Sequence, residues 1–94
     1  MKRGDKKMKQ PDIEKAVKIY YSMVEIGTKE IKELFGVGNT SAQTMKNKVR
    51  EEMAKRGIRN YYPHAVKTDI AFEVWGLNIE DLEHRLKALR RLKL

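Results

Sequence analysis

The stretch TKEIKELFGVGNTSAQTMKNKVR, residues 28–50, decides the fold, because it sets two helical patterns around one glycine corner. In the first pattern Thr28 can cap, and Ile31, Leu34 and Phe35 fall on one helical face. GVGN at 36–39 then turns the chain, since glycine takes the positive φ that a tight inter-helix corner requires. Asn39 or Thr40 caps the second helix. Its inner stripe is Ala42, Met45, Val49 and Met53, and it runs to about Arg56 before Gly57 stops it. The outer face of this helix is unusual. It carries Ser, Gln, Thr, Asn and Lys where a merely solvated helix is usually built from Glu and Lys. Short amides and hydroxyls weaken a helix interior by competing for its backbone hydrogen bonds, so their presence calls for another reason.

Two helices meeting at a short glycine-bearing corner are the geometric content of a helix-turn-helix. Residues 28–47 resemble the helix-turn-helix of bacterial and phage DNA-binding proteins in pattern. Ile31 stands in mid first helix, Phe35 at its end, then Gly36, the aliphatic Val37, and Ala42 and Met45 in the second helix. Lys32 departs from the pattern, which has a small residue there, and its long side chain must snorkel away from the helix crossing. The resemblance implies that the second helix reads the major groove of double-stranded DNA. Thr40, Ser41, Gln43, Thr44, Lys46, Asn47, Lys48 and Arg50 are then its contact residues, with Arg59, Tyr61 and Lys67 on the adjoining loop. The chemistry suits those places: amides bond adenine bidentately, hydroxyls reach bases or phosphates, and Lys suits guanine or phosphate. More loosely, the order of motif, glycine, aromatic-basic loop and two short helices resembles small proteins of phages and mobile elements, including excisionase-like ones. Such proteins regulate transcription or bend DNA for recombination.

Upstream, PDIEKAVKIYYSMVEIG at 11–27 predicts one long amphipathic helix, with Ile13, Val17, Tyr20 and Val24 in register and Gly27 as its stop. MKRGDKKMKQ at 1–10 predicts a disordered basic tail, either a solubilising extension or an arm that tracks phosphates. Downstream, IRNYYPHAVK at 58–67 is irregular, a loop or small wing, with one tyrosine covering the core and the other on the DNA backbone. TDIAFEVWG at 68–76 predicts a short helix capped by Thr68, with Phe72 and Trp75 in the core. NIEDLEHRLKALRRLKL predicts a last helix with Asn78 as its N-cap. TKEIKELFGV and TDIAFEVWGL share Thr, Glu and Gly at equal positions, either an internal repeat or a chance likeness of two capped helices. The second copy leads into an acidic face, which phosphates would repel. Ile79, Leu82, Leu86 and Leu89 form a stripe that serves either a homodimer seam or a helix folded back onto the motif. The expected architecture is all-α, a helix-turn-helix bundle of about five helices in a single domain spanning 11–94. Within it, 28–56 holds the motif and recognition helix, and 68–94 the C-terminal helices.

Charge points the same way. The chain has 21 Lys and Arg against 13 Asp and Glu, a net charge of +8 and a pI near 9.8. The excess is greatest over residues 28–67, with nine basic and four acidic side chains, and vanishes over 68–94, with five of each. A small basic protein attracts polyanions, of which nucleic acid is the common one. The alternative partner is an acidic protein, which would make the chain an adaptor or antirepressor. There is no cysteine, and the two histidines, His64 and His84, show no metal-ligand spacing, so neither metal nor cofactor is expected. No nucleophile–base set and no glycine-rich phosphate loop after a strand point to an enzyme. With no apolar run of membrane-spanning length, the expected location is cytoplasmic, away from any membrane.

Overall fold

The computed structural model describes residues 11–92; the basic tail expected at 1–10 lies outside the described residues. Five helices and one two-stranded ladder make up the described chain: α1 (Ile13–Ser22), β1 (Glu25–Ile26), α2 (Thr28–Phe35), α3 (Asn39–Arg56), β2 (Val66–Lys67), α4 (Thr68–Val74) and α5 (Ile79–Leu92). The all-α expectation holds, apart from that ladder. None of the helices is long and apolar enough to cross a membrane.

α1 starts where the Asp12 carboxylate accepts the Lys15 N–H at 3.1 Å. It does not continue to Gly27 as its period predicted. The chain turns extended at Met23, φ −129° and ψ 117°, and Val24 is left 70 % exposed. What wins over the helix is pairing. Glu25 and Ile26 lie antiparallel to Lys67 and Val66, with Ile26 and Val66 both fully buried. The Thr68 N–H donates to Val24 O at 2.9 Å, and the Thr68 hydroxyl donates to Met23 O at 2.6 Å. Thr68 is therefore a bolt between segments and not the cap of its own helix.

At the first corner Gly27 stands at the N-cap of α2, and the Glu30 side chain reaches back to accept its N–H at 2.8 Å. That is half of a capping box, and it leaves Thr28 as the first helical residue. Gly36 takes the left-handed conformation, φ 65°, and closes α2. Gly38 is extended and serves as N-cap of α3, one residue earlier than the sequence suggested. The second corner is built alike: Gly76 has φ 76°, and Asn78 accepts the Asp81 N–H at 2.9 Å as the expected N-cap.

Ile31, Leu34 and Phe35 of α2 meet Ala42, Val49 and Met53 of α3 in the core. Phe72 and Trp75 are buried there as predicted, with the Trp75 ring edge-to-face on Phe35 at 5.3 Å. α3 lies against α2 and α4, and Arg56 at its end grips both oxygens of Glu73 on α4 at 3.1 and 2.9 Å. α5 runs back along α1: the Tyr21 hydroxyl donates to Glu83 at 2.8 Å, and Leu86 and Arg90 border one groove with Asp12 and Val17. The Leu82 and Leu86 side chains are buried in this packing, so half of the expected dimer stripe is used within the chain. Ile79 is half-buried, and Leu89 and Leu92 stay exposed.

Candidate nucleic-acid interface

The exposed side of α3 presents Thr40, Ser41, Gln43, Thr44, Asn47 and Lys48, all accessible to solvent. No acidic residue occupies its first turn, in contrast to the other helices. The Thr44 hydroxyl donates to Thr40 O at 3.0 Å, so its proton stays on the helix backbone. Gln43 and Asn47 sit one turn apart, their amides 3.5 Å from each other, and the Thr28 hydroxyl approaches Gln43 Oε1 at 3.4 Å. These long contacts leave the amides with most of their hydrogen-bonding capacity turned outward.

Three of the predicted contact residues are employed elsewhere. Lys46 is 5 % exposed, and its ammonium donates to His64 O at 3.0 Å. Its place is inward because Ala42, Lys46, Val49 and Met53 follow one another at spacings of four, three and four, a regular helical stripe. Met45, read as part of that stripe, is only half-buried beside it. Lys67 is half-buried, with Nζ 3.2 Å from Glu25 Oε2 and 4.2 Å from the centre of the Tyr61 ring. Arg50 is exposed but donates to Pro63 O at 2.8 Å.

The loop at 58–67 is thus anchored, and its tyrosines do not divide their labour as expected. Tyr61 is 80 % exposed and Tyr62 69 % exposed, so neither covers the core. Their backbone N–H groups both donate to the Glu25 carboxylate, that of Tyr62 at 3.0 Å. The Asn60 amide donates to Tyr62 O. Burial pushes the Glu25 carboxyl up, but the two N–H donors and the Lys67 ammonium outweigh it and hold it below the ordinary carboxylate value. Glu25 therefore stays an acceptor at neutral pH. It escaped the sequence reading because a strand of two residues is too short to show alternation.

The loop is thus tied to α3 at Lys46 and Arg50, two positions beside the helix's outer side. Lys48, Arg50, Lys55 and Arg59 lie exposed on these two elements, against Glu51 as the one fully exposed acid. A separate groove between α1 and α4, lined by Tyr20, Met23, Ile58, Thr68 and Ile70, has its Thr68 hydroxyl committed to Met23. Among the described residues no group of three His, Asp or Glu side chains is placed to hold a metal ion. Comparison with protein-family models, with curated proteins and with solved structures finds no match to this chain.

Proposed function

We propose that this chain binds double-stranded DNA sequence-specifically, reading the major groove with α3, as a transcription regulator or an excisionase-like architectural factor. The observation that carries the reading is the outer face of α3. A helix set at a glycine corner presents Gln43, Asn47 and four other non-acidic polar side chains to solvent, with an anchored basic and aromatic loop beside it. Amides in such a position offer a donor and an acceptor to adenine, and the flanking Lys48 and Arg59 suit phosphates. The N-terminal turn of α3 adds the positive end of the helix dipole on the same side. The first turn of α5, by contrast, carries Glu80 and Asp81, which phosphates would repel.

Selection of bound duplexes from a random pool tests this directly: one enriched motif is expected. Gln43→Ala and Asn47→Ala should then lose discrimination at single base pairs, by about 1–3 kcal/mol each. Their binding to unrelated duplexes should barely change. A pool with no enrichment, alongside tight binding to one acidic protein, would instead favour an adaptor or antirepressor.

A further inference from the structure

Among the described residues Lys46 and Glu25 are the two buried charged side chains, and neither belongs to a group that could hold a metal ion. Both end on the same loop. Lys46 holds His64 O from the α3 side, and Glu25 holds the N–H groups of Tyr61 and Tyr62 from the β1 side. Burying an ammonium opposes folding unless it is bonded, and a methionine would fill the same space without that penalty. The corresponding place in the second corner shows as much. The spacing that takes Thr28 to Thr68 takes Lys46 to Leu86, which is buried too and has no polar group to satisfy. What a lysine adds at this place is the bond to the loop.

Resting on the DNA-binding reading above, we infer that Lys46 and Glu25 are positioning residues. Lys46 ties the loop at 58–67 to the recognition helix and Glu25 ties it to β1, so that Tyr61 and Tyr62 meet the duplex backbone at a set offset from Gln43 and Asn47. Arg50, bonded to Pro63 O, is a third and exposed tie of the same clamp. The two tyrosines are the part so delivered: their rings stand out in solvent while their backbone is fixed. Tyrosine hydroxyls bond phosphates, and a loop backbone fixed in advance costs less ordering entropy on binding. The helix and the loop then act as one rigid surface.

The test is a double-mutant cycle on the duplex selected above. Lys46→Met should weaken binding about tenfold, the order of one well-made contact. Tyr61→Ala with Tyr62→Ala should weaken it by a similar factor. The triple variant should be weaker than the tyrosine variant by much less than tenfold, because the clamp then positions only Arg59. Lys46→Arg, which keeps a donor, should recover most of the loss. Losses that multiply in the triple variant overturn the inference, as does a Lys46→Met protein that binds like the wild type. Should Lys46→Met melt too low to assay, Glu25→Gln replaces it in the same cycle and must give the same pattern or overturn the clamp. A wild-type chain that binds no duplex refutes the DNA-binding reading itself, whereas wild-type binding with a failed cycle refutes the clamp alone.

Discussion

β1 and α2 lead into α3 through Gly36, and β2 and α4 lead into α5 through Gly76; both glycines are left-handed and both second helices begin three residues later. The likeness between TKEIKELFGV and TDIAFEVWGL thus continues as geometry. Ile26 and Val66, which correspond in the two copies, are paired directly in the ladder, and Phe35 and Trp75, which also correspond, touch ring to ring. Past the corners the copies part. α3 lies on α2 and α4 and keeps its outer face open, whereas α5 swings onto α1. The side chains differ to match: Ser41 and Gln43 correspond to Asp81 and Glu83, and Glu83 is taken by Tyr21. A corner of this kind is a neutral piece of scaffold, and the second helix's surface decides what it serves.

The contact between the halves is the most consequential place to break this comparison. Phe35→Ala and Trp75→Ala should each cost about 3–5 kcal/mol in thermal or denaturant unfolding. The double variant should lose about 0.5–1.5 kcal/mol less than the sum, because the edge-to-face pair is shared. Strictly additive losses would show that the two copies do not stabilise each other there. A finer test moves the character of α5 onto α3. Ser41→Asp with Gln43→Glu should abolish duplex binding, at about 1–3 kcal/mol for each base interaction removed. The melting temperature should hardly change, since both sites are exposed. Retained binding would place the DNA interface away from this face. The smallest effect concerns the corner itself. Gly36→Ala meets no atom within 4 Å but must hold φ at 65°, which costs about 1–2 kcal/mol. Gly38→Ala, at an extended φ of −84° and equally open, should cost far less. Equal losses at 36 and 38 would mean that the left-handed turn lies elsewhere.

The corners, the Asn78 cap and the buried Phe72 and Trp75 were legible because each rests on a local signal: a glycine, a capping amide, or apolar side chains at helical spacing. β1 was not legible. Met23 and Val24 continue a helical period, and only a partner distant in sequence, Val66 and Lys67, makes the extended form better. Lys46 misled for the opposite reason. Its spacing placed it inside, but a lysine reads as a surface residue unless a buried acceptor such as His64 O is known to be waiting. The outward set of Ser41, Gln43, Thr44, Asn47 and Lys48 followed from Ala42, Met45 and Val49 facing in, although Met45 itself is only half-buried. The way the loop is held had no signal of its own, because its anchors are backbone carbonyls and N–H groups, which every residue carries.

The short ladder has one more consequence, in terms of molecularity. Corresponding strands that lie antiparallel, each copy supplying one, are the arrangement by which two identical chains would form a symmetric dimer. Here a single polypeptide supplies both strands. The pairing of Ile26 with Val66 is therefore a first-order event, governed by the length of chain between them and not by protein concentration. The molecule carries its own partner for this contact at an effective concentration that dilution does not change.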